Sequence, residues 1–249
     1  MGIKILFIDP LGTNVFDEMT KNYLEKYKSK DTVIDVVSFA GGPQHLEYYS
    51  YVAIVIPEIL RVIKKAEKEN YDAVIIGCFY DPGLHEAREI AKKIIVVAPC
   101  ESSLHIASTL GEKFSIIVGR KKWVPLMMKN VVTYGFRDKL VSFKSVELGV
   151  HDFHKDVNET KKRLLKAARE AVEEGAEVVI NGCTALVGFF EEMQRELGIP
   201  VIDPVIASLK YAEFLVQLNK STGWWFSRKY TYEPPPEEEL VKWNLKDLL

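Results

Sequence analysis

Two stretches of this chain repeat one unit, and that repetition limits the folds open to it. The first reads Val74-Ile75-Ile76-Gly77-Cys78-Phe79-Tyr80-Asp81-Pro82-Gly83. The second reads Val178-Val179-Ile180-Asn181-Gly182-Cys183-Thr184-Ala185. Each is a short apolar run, then a glycine, a cysteine and a turn. Continuous apolar runs of this length read as strands buried on both faces of a parallel sheet. Asp81-Pro82 is suited to open a helix, with the aspartate as N-cap and the proline at the first helical position. Both cysteines are therefore expected where a strand's carboxyl end meets a helix N-terminus, the place at which open α/β sheets bind ligands.

The rest of the chain alternates strands with helices. Strands are expected at Ile3–Ile8, Thr32–Val37, Ile94–Val97, Phe114–Val118 and Leu140–Leu148. Helices are expected over about 15–27, 48–69, 82–92, 103–110, 124–134, 158–174 and 205–218, with a kink or late start at Pro57. Pro99-Cys100-Glu101-Ser102-Ser103 reads as a crossover between halves. The pattern predicts an α/β fold of two pseudo-symmetric lobes, each a parallel sheet flanked by helices, with the active site in the cleft between them. The first lobe is expected over residues 1–98, with 205–249 packing back on it, and the second over 99–204. The tail holds Trp224, Trp225, Trp243 and Pro234-Pro235-Pro236. It is expected to dock on its own protomer or to form a subunit contact, since Trp and Tyr are enriched in interface cores.

Composition excludes several classes. A net charge of −2 over 249 residues gives no broad basic surface for nucleic acid. No apolar run approaches a membrane span, and the N-terminal segment reads as a strand rather than a secretory signal, so a cytoplasmic protein is expected. The cysteines number three, Cys78, Cys100 and Cys183, with no Cys-x-x-Cys pair. Structural disulfides and a metal site are therefore not expected. Cys100 has no matching partner and reads as a buried structural residue.

Two cysteines on opposite walls of a cleft suit one kind of chemistry. A racemase removes a proton from one face of a carbon and returns one to the other. A thiolate can be the base and a facing thiol the acid, with the roles exchanged for the opposite enantiomer. Turn amides near a helix N-terminus favour the thiolate and can hold an enolate oxygen as it forms. No metal or organic cofactor is needed.

The segments Gly77-Cys78-Phe79-Tyr80-Asp81-Pro82-Gly83-Leu84, Asn181-Gly182-Cys183-Thr184 and Pro200-Val201-Ile202-Asp203-Pro204 resemble the signatures of the hydantoin racemase family, within the aspartate/glutamate racemase superfamily. The resemblance runs from the first strand to about Leu218, and Glu101 falls where that family carries a glutamate. It implies two α/β lobes, cofactor-independent racemisation of 5-substituted hydantoins or allantoin, Cys78 and Cys183 as the catalytic pair, and a homo-oligomer. Family members commonly carry Asn-Pro-Asn where this chain has Asp9-Pro10-Leu11, and Thr-Thr where it has Gly119-Arg120. Pro10, Phe79, Gly119, Arg120 and Thr184 are the expected substrate-binding residues, and the two altered loops predict a distinct substrate preference. Phe79 points to an apolar or ring-shaped small molecule. The competing readings are an amino-acid racemase and a non-catalytic two-lobed ligand-binding or redox-sensing protein.

Overall fold

The structure, a computed structural model, describes residues 2–245. It contains two four-stranded parallel sheets with the same strand order, β2-β1-β3-β4 and β6-β5-β7-β8. The first sheet is built from β1 (Ile3–Ile8), β2 (Thr32–Val37), β3 (Ala73–Ile76) and β4 (Ile95–Val97). The second is built from β5 (Phe114–Val118), β6 (Leu140–Ser145), β7 (Val178–Asn181) and β8 (Val201–Ile202). All pairs are parallel, with Ile8 opposite Ile76 in the first sheet and Ile117 opposite Asn181 in the second. The expected α/β class and parallel sheets are present. β3, β5 and β7 are buried along their whole length, as apolar runs covered on both faces must be.

By contact, the chain divides into two compact units. The first comprises residues up to Gly77, then Pro82–Ala98, then those from Leu209 onward. The second comprises Cys78–Asp81 and Pro99–Ser208. The tetrapeptide Cys78–Asp81 thus belongs to the second unit, although the strand before it and the helix after it belong to the first.

In the first unit, α1 (Asp17–Tyr27) packs on β2 and α2 (Tyr49–Lys68) packs on β1 and β3. α2 runs unbroken through Pro57. Pro57 and Ala53 both lie on its exposed face, so water can take the carbonyl that the proline cannot serve. Its buried stripe is Val55, Ile59, Leu60, Ile63 and Ala66. α3 (Leu84–Ile90) follows the first cysteine turn and packs on β4.

The second unit holds α4 (Pro99–Leu110), α5 (Val124–Thr133), α6 (Val157–Glu173) and α7 (Phe190–Leu197). The segment read as a crossover is the first turn of α4. α6 starts at the N-cap Asp156, whose carboxylate accepts the Glu159 N–H at 3.0 Å. It buries Leu164, Ala167, Ala168 and Ala171, whereas Leu165 and Val172 are half-buried. β6 stops at Ser145, three residues short of the expected Leu148.

α8 (Pro204–Thr222) begins in the second unit and continues in the first. In the first, the buried Glu213 carboxylate accepts the Ser29 N–H, the Ser29 hydroxyl and the Thr32 hydroxyl, each at 2.7 Å. These donors lie in the turn that starts β2. The tail beyond α8 docks on α3 of its own protomer. Arg228 donates to the carbonyls of Arg88, Glu89 and Ala91. The Arg88 guanidinium lies 4.8 Å from the centre of the Phe226 ring, and the Tyr232 ring stacks on His85. α9 (Glu237–Lys242) completes the described tail. Among the described residues no helix is long and apolar enough to cross a membrane.

Candidate active site

Each cysteine turn is set up by the glycine before it. Gly77 donates its N–H to the Ile8 carbonyl at 2.7 Å, and Gly182 donates to the Ile117 carbonyl at 2.7 Å. A Cβ on Gly77 would overlap the Phe7 ring and lie 2.6 Å from the Ile8 oxygen. A Cβ on Gly182 would lie 2.8 Å from Ile116 and 2.9 Å from the Ile117 oxygen. Only glycine allows the backbone to approach the neighbouring strand this closely. The repeated Gly-Cys of the sequence is therefore a repeated geometry.

The cysteine that follows each glycine is half-buried, and all three cysteines are thiols rather than disulfides. After Cys78 the chain makes a tight turn closed by the Asp81 N–H donating to the Cys78 carbonyl at 2.9 Å. Asp81 takes a left-handed conformation, φ +51°. It does not cap the helix that follows it. That helix, α3, begins only at Leu84, and its N-cap is Gly83. The Asp81 carboxylate reaches α4 instead, where it accepts the N–H of Cys100 at 2.8 Å and of Glu101 at 2.9 Å. A third donor, the Tyr134 hydroxyl, lies at 3.0 Å. The neighbouring Tyr80 carbonyl accepts the Asn130 side-chain amide at 2.8 Å.

This cluster is deeply buried, and its ionisation follows from that. Desolvation outweighs the three donors and pushes the Asp81 carboxyl up to about 7. Burial also drives the Cys100 thiol and the Tyr134 phenol well above their ordinary ranges, and the nearby Asp81 charge adds to both. Cys100 is fully buried, consistent with the structural role expected of it.

Cys183 is followed by a single 3-10 turn, Thr184–Leu186, rather than by an α-helix; α7 starts later, at Phe190. Thr184 is half-buried, and the Ala185 carbonyl lies 2.8 Å from the His154 Nε2. Asn181, which ends β7, is fully buried, and its side-chain amide has no hydrogen-bond partner among the described residues. At the end of β5, Gly119 is buried and its carbonyl accepts the Leu148 N–H at 2.9 Å. A Cβ there would overlap the Trp123 ring and lie 2.5 Å from the Leu148 oxygen. Arg120, next along, is half-buried.

In the first unit, the loop after β1 packs against Gly41-Gly42-Pro43, with the Gly12 N–H donating to the Pro43 carbonyl at 2.8 Å. Pro10 is buried within it. Asp9 is 7% exposed, and its carboxyl is pushed up to about 7, first by desolvation and then by the charge of Asp17.

Of the residues expected at the site, Cys78, Phe79, Gly119, Arg120, Cys183 and Thr184 stand in one compact unit, and Pro10 stands in the other. Phe79 is 2% exposed, so its ring belongs to the packed wall of the turn. No local pattern in the sequence announces the roles of Tyr134 and Asn130, whose bonds to the cysteine turn span 53 and 50 positions. Among the described residues no group of three His, Cys, Asp or Glu is placed to hold a metal ion.

The chain matches the family model described as Asp/Glu/Hydantoin racemase over residues 5–212. It is 35% identical over 240 residues to a hydantoin racemase of a Pseudomonas sp., covering 96% of this chain and 94% of that one. It is 33% identical to a hydantoin racemase of Paenarthrobacter aurescens, covering 96% of this chain and 100% of that one. The fold is similar to that of allantoin racemase from Klebsiella pneumoniae, with a TM-score of 0.87 at 24% identity and 94% of each chain covered. The paired Gly-Cys turns and the two like sheets thus sit in a chain that belongs to the Asp/Glu/hydantoin racemase family, an isomerase of the racemase class.

Proposed function

We propose that this racemase inverts a carbon next to a carbonyl in a hydantoin-like cyclic amide, with Cys78 and Cys183 as its acid/base pair and no cofactor. The observation that carries this reading is the placement of both cysteines in one compact unit, each after the same glycine turn. One cysteine, as thiolate, takes the α-proton and becomes a thiol. The electron pair left behind delocalises onto the adjacent carbonyl oxygen, where N–H donors stabilise it. The other cysteine, as thiol, gives its proton to the opposite face and becomes the thiolate. The number of protons is unchanged, and the opposite enantiomer runs the same steps in reverse.

Arg120 supplies a half-buried cation at the end of β5, suited to a substrate carbonyl or anion. The ligand on this reading is a small molecule. The enzyme is a cytoplasmic homo-oligomer, for which the exposed Trp224, Tyr230 and Trp243 of the tail offer interface side chains.

The test is incubation of the purified protein with single enantiomers of 5-benzylhydantoin, allantoin, aspartate and glutamate in D2O, followed by polarimetry and proton NMR. Loss of rotation with deuterium uptake on a hydantoin or on allantoin is the expected result. Exchange confined to the amino acids would replace the substrate class. Absence of exchange on every compound would overturn the reading.

A further inference from the structure

We propose that Asp81 is the positioning residue for Cys78: its carboxylate, held by the first turn of α4 and the Tyr134 hydroxyl, fixes the turn that carries the thiol. The inference rests on the reading of Cys78 as a catalytic thiol.

The turn Cys78–Asp81 is flanked in sequence by β3 and α3, both in the first unit, yet it belongs to the second. One side chain ties it to the start of α4. Asp81 Oδ1 accepts from Cys100 at 2.8 Å, and Oδ2 accepts from Glu101 at 2.9 Å and from Tyr134 at 3.0 Å. A helix leaves its first amides without partners, and a carboxylate there satisfies them while complementing the helix dipole. Here that carboxylate comes from 19 and 20 positions upstream, so the capping bond is also a tertiary bond. The other end of the same turn is closed by the Asp81 N–H on the Cys78 carbonyl at 2.9 Å. Asp81 therefore joins the cysteine's own backbone to a rigid helix start through two steps. Its left-handed φ of +51° costs energy for a non-glycine residue, and the buried bonds to α4 hold it. Tyr80, between the two, is fixed in turn by the Asn130 amide. A thiol that must reach one face of one carbon gains from such anchoring, because a misplacement of about 1 Å costs roughly 100-fold in rate.

The variants follow from the donor set. Asn at position 81 can accept one amide, but its NH2 group faces the other, donor against donor. Tyr134→Phe keeps both amide bonds and removes the third donor. Two measurements read the outcome. The first is alkylation of Cys78 by iodoacetamide at one fixed, mildly alkaline pH, resolved from Cys100 and Cys183 by peptide mass spectrometry. The second is racemisation of 5-benzylhydantoin, analysed as kcat and KM, with Cys78→Ser as reference and thermal melting as the check on folding.

For Asp81→Asn the expected result is a kcat lower by about 100-fold with KM within about 3-fold of the parent. Cys78 alkylation should be several-fold faster, since the turn that carries the thiol loses its anchor. Tyr134→Phe should lower kcat by about 5-fold, the worth of one hydrogen bond of about 1 kcal/mol. A folded Asp81→Asn with parent kcat and parent alkylation rate, beside an inactive Cys78→Ser, overturns the inference. If Asp81→Asn does not fold, Tyr134→Phe decides, and an unchanged kcat there overturns it. Alkylation needs no substrate. If Cys78→Ser racemises at the parent rate, the catalytic reading fails, while the alkylation comparison still decides whether Asp81 sets the thiol's surroundings.

Discussion

Gly119 and Trp123 share one volume: the Cβ that the glycine lacks would overlap the indole. A Thr at this position would not fit beside this tryptophan. Trp123 is 2% exposed and meets Phe153 edge-to-face at 6.2 Å between ring centroids, so it has little room to give way. Gly119→Thr should destabilise the protein by about 2 kcal/mol or more through overpacking. Trp123→Leu in the same chain should recover part of that loss. Urea unfolding of the two single variants and the double variant measures the coupling, and strict additivity would refute the shared volume.

The two-thiol mechanism predicts mirrored variants. Cys78→Ser should stop racemisation in both directions, because each turnover needs one abstraction and one donation. It should still exchange the α-proton of one enantiomer with solvent deuterium, using Cys183. Cys183→Ser should exchange the other enantiomer. Proton NMR in D2O on separated enantiomers decides this. Both variants exchanging the same enantiomer would be incompatible with thiols on opposite faces.

Asp9 makes stability depend on pH in a defined direction. Its carboxyl sits at about 7 when folded, against an ordinary value of 3.8. Below about pH 4 both states hold the proton, and the full stability is present. Between about 4 and 7 the unfolded chain ionises while the folded one does not, so stability falls by up to about 1.4 kcal/mol per pH unit. Asp81 acts in the same direction. The melting temperature should therefore drop as pH rises from about 4 to about 7 and level off above that. Asp9→Asn should flatten that curve and raise Tm at the alkaline end. A slope that persists unchanged in this variant would remove Asp9 as its source.

Arg228 serves as a C-terminal cap for α3, with guanidinium N–H groups on the carbonyls of Arg88, Glu89 and Ala91. Arg228→Ala should cost about 2 kcal/mol, because several partly buried carbonyls lose charged donors together. Lys at this position should recover less than half, since an ammonium lacks the planar fork. Denaturant midpoints of the two variants would settle it, and equal midpoints for Arg, Lys and Ala would be the contrary result.

The legible parts of this chain are those in which the chemistry is local. β1, β2 and β5 lie where apolar runs at residues 3–8, 32–37 and 114–118 required them. The glycine turns could be read because a strand must end where a Cβ cannot follow. Asp81 could not be read correctly. Asp-Pro is a strong local helix-start signal, and the carboxylate's actual partners lie 19, 20 and 53 positions onward. The same bonds explain the second miss. Pro99-Cys100-Glu101-Ser102-Ser103 has little helical periodicity of its own, and a cap supplied from elsewhere starts α4 there. The fit of Gly119 to Trp123 likewise has no trace in spacing or composition.

The grip of Glu213 on Ser29 and Thr32 spans 184 and 181 positions, and it sets an order of events during synthesis. A ribosome delivers β1 and β2 early, but the carboxylate that satisfies the turn between them arrives only with the far part of α8. The second unit lacks only the tetrapeptide Cys78–Asp81 from outside its continuous stretch, and that piece is made before it. The half of the enzyme that carries both thiols can thus be finished while the half made first still waits. A chain halted shortly before Leu209 should give protease-resistant fragments from residues 99–208 and not from the first 77.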